Sequence, residues 1–393
     1  MSAPLAGFKI LDLTRLLPGP LCSLHLADLG AEVIKIEDPS TGDPTRADIT
    51  GRQAMSTLFH CLNRNKHAVA IDLRTAEGVE IFLTLAEQAD AIIEGFRPGV
   101  VDRLGVGYAA VKARRADTVY VSLTGYGQDG PWKHRAGHDV NYVATAGILD
   151  QLGEAGGPPI LPNFQIADLA GGALSATVAV LAALLRRSSS GEGSYVDVSM
   201  TDCALAHAVM PLAQMSLFGG TPPRGLDILT GGLACYSIYR TADDRHLAVG
   251  ALERKFWDQV CAGLGRMDLA DLHLSLGPAA VELKATVQGI IGAQPLAHWA
   301  EVFEALDACV TPVLTLEEAM THPQLAARHI FIEHTDPRDG VIKQFATPWK
   351  FADHVFSVRR SAPPLGADTE AVLTAAGIDA PTLHTLKARG IVR

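Results

Sequence analysis

At 393 residues, 48% of them hydrophobic and 19% charged, the chain is long enough to bury a large core and to divide into two domains. Its formal net charge of −10, with no basic run longer than pairs such as Arg114-Arg115, argues against free nucleic acid as a partner. Six cysteines without a CxxC pair fit a reducing compartment and argue against a disulfide frame or a structural zinc, so no metal site is expected.

In chain order, residues 8–13 predict a strand, Pro18-Gly19-Pro20 opens a helical segment over 21–29 that stops at Gly30, and 32–37 predict a second strand. The rhythm continues with a strand at 68–73, a helix at 75–87, a strand at 89–94, a helix at 106–113 and a strand at 118–123. Strands alternating with helices at this spacing predict an α/β fold built on a parallel, doubly wound sheet. The start of the chain lacks a basic segment followed by an apolar one, so no signal peptide is expected. The longest uncharged run, 169–185, is rich in Ala and Gly and slightly short for a membrane span; it reads as a buried helix. A cytoplasmic protein without a membrane partner is the expectation. A polar turn at 187–194 leads to a strand at 195–199 and a helix at 201–217. Gly219-Gly220-Thr221-Pro222-Pro223 then reads as a linker. Beyond it a strand pair (234–239 and 246–250) and several helices predict a smaller domain at 226–325, after a large domain at 1–220. The tail, 330–393, is expected to return to the large domain.

Two segments stand out chemically. Gly137-His138-Asp139-Val140-Asn141-Tyr142 and Ala167-Asp168-Leu169-Ala170-Gly171-Gly172 each place a proton carrier ahead of an apolar helix pattern. Taken alone, His138 reads equally as a hydrogen-bonded structural histidine and Asp168 as a helix N-cap. Between the strand at 118–123 and His138 lies Gly125-Tyr126-Gly127-Gln128-Asp129-Gly130, a match to G-x-G-x-x-G. A dinucleotide site needs a helix directly after that motif, and Pro131-Trp132-Lys133-His134-Arg135 is poor helix material, so a nicotinamide dehydrogenase is set aside. The glycines are expected to shape the loop that delivers His138.

Leu17-Pro18-Gly19-Pro20, Ala27-Asp28-Leu29-Gly30-Ala31-Glu32-Val33-Ile34-Lys35, Asn63-Arg64-Asn65-Lys66 and Glu94-Gly95-Phe96-Arg97-Pro98-Gly99 together resemble the family III CoA-transferase (CaiB/BaiF) superfamily. The His138 and Asp168 segments are similar to its α-methylacyl-CoA racemase branch, as are Val249-Gly250-Ala251-Leu252-Glu253 and Asp307-Ala308-Cys309-Val310-Thr311-Pro312. The resemblance implies a Rossmann-like large domain with a smaller α+β domain, in a homodimer whose subunits interlock like linked rings. It implies no metal or redox cofactor, CoA arriving as part of an acyl-CoA thioester substrate.

On that resemblance, His138 and Asp168 are the two bases that exchange a proton at the carbon beside the thioester, through an enolate. Asp168 must then hold a proton near neutral pH, for which Leu161, Ile166 and Leu169 offer an apolar surround. Glu253 is implied to orient the catalytic histidine; without the resemblance it reads as a solvated glutamate at a helix start. Gly137, Asp139, Val140, Asn141 and Tyr142 are implied to line the substrate, Asp139 and Asn141 orienting the loop and offering backbone N–H groups to the oxyanion. Ile71, Asp72, Leu73 and Arg74 are implied to hold the adenine, and Arg97 and Arg103 to meet phosphate or adenine. Arg64 and Lys66 are further cationic candidates. One departure stands at Asp38, where similar proteins carry an arginine; Arg15, Lys35 or Arg46 are the replacements the sequence offers. Met200, Met210 and Met215 read as core or as an adaptable pocket wall. The rivals are a CoA transferase of the same fold with Asp168 as nucleophile, and a non-catalytic acyl-CoA binder. His138 and Glu253 favour the racemase over the first, and their retention beside Asp168 has no reason in the second.

Overall fold

Strands with apolar residues on both faces can persist only where helices cover the sheet on both sides. The computed structural model, which describes residues 3–393, contains six of them: β1 (Lys9–Asp12), β2 (Glu32–Glu37), β3 (Lys66–Ala70), β4 (Ala91–Glu94), β5 (Val119–Thr124) and β6 (Ser194–Ser199). They form one parallel sheet in the order β3-β2-β1-β4-β5-β6, and every residue of β4 and β5 is buried. Leu11 of β1 pairs with Ile34 on one side and Ile92 on the other, which fixes the register of the centre. The order reverses between β1 and β4. Ligands of open α/β sheets bind at the carboxyl ends of strands flanking such a reversal.

Three elements differ from the sequence pattern for identifiable reasons. The third strand runs Lys66–Ala70, not 68–73, and Ile71 forms a bridge with Val392 while the Asp72 N–H donates to the Ile391 carbonyl at 2.8 Å. The helix expected over 201–217 is two helices, Met200–Ala206 and Val209–Phe218. Pro211 is the cause, because its ring would clash with the carbonyl of His207 four residues earlier. The apolar run at 169–185 lies in a continuous helical stretch, Ala167–Ser190, which by length and composition alone suffices to cross a membrane. The buried helix its composition predicts is buried on one face only. Ala173, Ala176, Val180 and Leu184 are buried, whereas Val178 and Leu185 are 59% and 72% exposed.

The chain forms two compact units. The first comprises the chain up to Ala146, Pro162–His207 and Gln324–Arg393; the second comprises Gly147–Leu161 and Ala208–Pro323. In the first, Leu373, Leu383 and Leu386 of the tail pack with Val69, Phe82 and Ile92 in one core. The tail also supplies an antiparallel hairpin, Phe331–Asp336 with Gly340–Phe345. The second unit is built on an antiparallel sheet of Tyr236–Arg240, His246–Gly250 and Val310–Pro312, over a core around Trp257.

The motif Asn63-Arg64-Asn65-Lys66 serves this architecture. Lys66 is fully buried, and its ammonium donates to the Pro20 carbonyl and Ser23 hydroxyl at 2.8 Å each and to Asn63 Oδ1 at 3.0 Å. It stands 3.4 Å from Asp12 Oδ2. Burial pulls the Lys66 ammonium down to about 8, with Asp12 opposing. Burial disfavours ionised Asp12 too, but Lys35 and Lys66 hold it below the usual carboxylate range. Removing one partner of a buried pair leaves the other charge uncompensated, so Lys66→Ala is expected to cost about 3–5 kcal/mol in urea unfolding. A loss under about 1 kcal/mol, the scale of an exposed pair, would refute the internal role.

Candidate active site

The segment after β5 is shaped by one tyrosine. Tyr142 packs its ring against Gly125 and Gly137, where an added Cβ would lie 2.3 Å and 2.6 Å from Tyr142 Cε1. Its hydroxyl donates to the Gly137 carbonyl at 2.5 Å, and Tyr126 meets its ring edge-to-face at 5.1 Å. The Thr201 N–H and hydroxyl pin the Gly125 carbonyl at 3.1 and 2.7 Å, and Asp197 accepts the Gln128 N–H at 2.8 Å. G-x-G-x-x-G therefore opens no helix here. Of its glycines Gly125 makes room for the tyrosine, while Gly127 and Gly130 adopt positive φ, and the loop ends at His138, the N-cap of the helix Asp139–Thr145. The His138 N–H donates to Asn141 Oδ1 at 3.0 Å, which leaves its imidazole on the exposed side.

Asp168 begins the second element. From Ala167 to Leu174 the backbone is wound as a π-helix, a form that recurs at functional sites, before continuing as an α-helix over Ser175–Ser190. Gly171 and Gly172 permit its close approach, since an added Cβ at Gly171 would stand 2.8 Å from the Met200 carbonyl and at Gly172 3.1 Å from Pro18 Cβ. Met200 is thus a buried packing residue, whereas Met210 and Met215 are exposed.

One carboxylate joins the two segments. Asp139 Oδ1 accepts the N–H groups of Ala167 at 2.7 Å and Asp168 at 3.1 Å. The helix that His138 caps thereby caps the helix that bears Asp168. Burial lifts the Asp168 carboxyl to about 6, the Asp139 charge adds to the rise, and His138 opposes it. Of the apolar residues expected around it, Ile166 and Leu169 are half-buried neighbours in its own chain segment; Leu161 belongs to the second unit and is exposed. The Asn141 N–H is taken by the His138 carbonyl at 2.8 Å, so it is no oxyanion donor. Asp139 and Val140, first in their helix, direct their N–H groups out of its start.

The nucleotide candidates separate into two groups. Ile71, Asp72, Leu73 and Arg74 line a cavity of about 270 Å³ at the carboxyl edge of the sheet, with Arg15 and Phe96 also in its wall. Arg97 and Arg103 are exposed outside that wall, Arg97 close enough to Tyr142 to oppose the burial that lifts its phenol to about 12. Arg64 and Lys66 are internal: Arg64 Nη2 pairs with Asp28 at 2.6 Å and Nη1 donates to Gln344 at 2.7 Å. Lys35 is buried against Asp43 at 3.0 Å, and the partly buried Arg46 pairs with Glu37 at 2.5 Å. Arg15 alone of the three replacements stays uncommitted to a carboxylate, its guanidinium 5.0 Å from the Phe96 ring centroid. In the sequence Glu94 stands only as part of the motif Glu94–Gly99, with no role of its own, although an acid ending an apolar strand before Gly95 was its signal. Burial lifts its carboxyl to about 7 against hydrogen bonds from Ser122 and Phe96, and its Oε2 accepts the Phe96 N–H at 2.7 Å.

Glu253 belongs to the second unit. It is exposed at the N-cap of the helix Arg254–Gly263 and makes no side-chain capping bond. A larger open hollow in that unit, about 1160 Å³, contains none of the expected site residues.

A family model described as CoA-transferase family III matches residues 5–369. The chain is 32% identical to an alpha-methylacyl-CoA racemase of Homo sapiens, over 99% of this chain and 97% of that protein. It is 31% identical to a succinyl-CoA:glutarate CoA-transferase of Mus musculus, over 94% and 86%. The crystal structure of a CAIB/BAIF family protein from Brucella suis matches with a TM-score of 0.82 at 27% identity, covering 96% of this chain and all of that one.

A carboxyl raised in the folded state has a stability signature. Ionising Asp168 is harder in the native protein than in the unfolded chain, so its contribution falls as pH rises from its ordinary range through about 6. Asp168→Asn escapes that cost. The variant is expected to melt above the wild type at pH 8 and to lose that advantage at pH 4, as read by calorimetry. An advantage of equal size at both pH values would contradict the raised carboxyl.

Proposed function

The chain belongs to CoA-transferase family III, a family of enzymes acting on acyl-CoA thioesters that holds both racemases and CoA transferases, and we propose that it is a racemase. The reaction is inversion of the α-carbon of a 2-methylacyl-CoA. The observation that carries the reading is Asp139, whose carboxylate holds the backbone of Asp168 while its own helix is capped by His138. In this reading the two proton carriers, of different type, face one carbon from opposite sides, as a proton exchange through an enolate requires.

Neutral His138 takes the α-proton of one enantiomer and becomes imidazolium, leaving the electron pair on an enolate. Protonated Asp168 then delivers its proton to the opposite face and becomes carboxylate. The reverse direction begins from imidazolium and carboxylate. A carboxyl lifted to about 6 suits this exchange, because a proton carrier works best with a pKa near the working pH. The outward N–H groups of Asp139 and Val140 supply donors for the enolate oxygen. The nucleotide occupies the cavity walled by Ile71, Asp72, Leu73 and Arg74, with Arg97 and Arg103 toward its phosphates. No metal or redox cofactor enters; the thioester itself acidifies the α-carbon.

The reading includes an interlocked homodimer, in which Glu253 orients the histidine of the partner subunit. The support is apolar surface that water would otherwise meet: the helix Val209–Phe218 has no buried residue, and Leu217 and Phe218 are each 75% exposed.

The test is α-proton exchange in D2O, followed by NMR with each enantiomer of a 2-methylacyl-CoA. Wild type is expected to incorporate deuterium with inversion, and His138→Ala and Asp168→Ala each to lose racemisation by about 10²–10⁴-fold. Transfer of CoA to an added carboxylate without exchange, requiring Asp168 and not His138, would establish the transferase instead.

A further inference from the structure

The cavity at the carboxyl edge of the sheet is poor in available positive charge. Arg74 lies in its wall, but Asp72 Oδ1 accepts its Nε–H at 2.7 Å and Asp38 Oδ2 stands 3.1 Å from its Nη2. Glu37 and Asp43, also in the wall, are matched by Arg46 and Lys35 behind them. What remains is Arg15 and Arg74 against Asp38 and Asp72, a balance that gives a phosphate no net attraction.

Asp38 has a particular place in the topology. It is the first residue after β2, in a sheet of order β3-β2-β1-β4-β5-β6. In nucleotide-binding sheets of this order an acid near the second strand's end hydrogen-bonds the free 2′-hydroxyl of the adenosine ribose, whereas an arginine nearby accommodates a 2′-phosphate. The 3′-phosphate of CoA sits on the adjacent ribose carbon, within reach of the same acid. The Asp38 side chain is held for such a task. Its Oδ1 accepts the N–H groups of Ser40 at 2.9 Å and Thr41 at 3.1 Å, which leaves Oδ2 toward Arg74 and the cavity.

We propose that Asp38 sets the specificity at the ribose, accepting a hydrogen bond from a free ribose hydroxyl and holding Arg74 away from a phosphate. The protein therefore uses thioesters of dephospho-CoA, whose 3′-hydroxyl is unphosphorylated, about as well as thioesters of CoA. The inference rests on the acyl-CoA reading of the site, but not on which reaction follows binding.

Titration calorimetry with CoA and with dephospho-CoA, on the full chain, needs no turnover and so separates this inference from the racemase. The wild-type dissociation constants are expected to agree within about fivefold, where one well-made contact to a charged group is worth about tenfold or more. Asp38→Asn keeps the Oδ1 acceptor of the turn and removes the charge; it is expected to shift the ratio toward CoA by at least about fivefold, and Asp38→Arg by more. A wild type that prefers CoA by more than about fivefold, variants with an unchanged ratio, or no binding of either nucleotide would each overturn the proposal.

Discussion

The Asp139 carboxylate is the contact on which the site depends. It lies in the first turn of a seven-residue helix, yet its bonds go to Ala167 and Asp168, 28 and 29 residues along the chain. A short helix has little stability of its own, and this one gains its position by capping another. The same negative charge also acts on what it holds: it adds to the burial that keeps the Asp168 carboxyl near 6. Position and proton affinity thus come from one group. An uncharged cap in its place would hold the backbone and surrender part of the shift.

The sheet fixes everything around that contact. Its reversal between β1 and β4 brings Leu13, Arg15 and Phe96 to one cavity with the strand edge at Ile71. Keeping this edge in shape requires buried charge, which is tolerated only when paired and hydrogen-bonded. Asp12 with Lys66, Asp43 with Lys35, and Glu37 with Arg46 supply the pairing. The consequence reaches the ligand. Cations consumed in building the edge are unavailable to an anion, so the proposed nucleotide site is left with Arg15, Arg97 and Arg103, not with the Asn63–Lys66 motif that the sequence displays.

Much of this was legible in the residues. Apolar runs bounded by glycine and proline marked the strands, and poor helix residues after Gly130 correctly separated the glycine loop from a dinucleotide turn. The failures share one origin. Lys66 in a list of residues is a cation; only the fold reveals that Pro20, Ser23 and Asn63 surround its amine. Asn141 offered a backbone donor until the turn at His138 claimed it. The long apolar helix looked buried because composition reports how much apolar surface a segment has and says nothing of which face is covered. Pro211 was the exception, a visible breaker inside a helical pattern whose effect on His207 could have been read directly.

The tuned aspartate also bears on the choice between the two reactions within the family. A carboxylate acting as nucleophile must be ionised when it attacks, and burial next to the Asp139 charge works against that state. A carboxyl that alternately gives and takes a proton gains from the same environment, because its two forms lie close in free energy near neutral pH. The histidine strengthens the contrast. His138 at the N-cap, with its backbone N–H already bonded to Asn141, has an exposed imidazole whose charge acts on Asp168, and the loop that carries it is shaped by two glycines and a tyrosine hydrogen bond. Acyl transfer through an anhydride has no use for a second base in that place, whereas the proposed proton exchange across the two faces of one carbon draws on it directly.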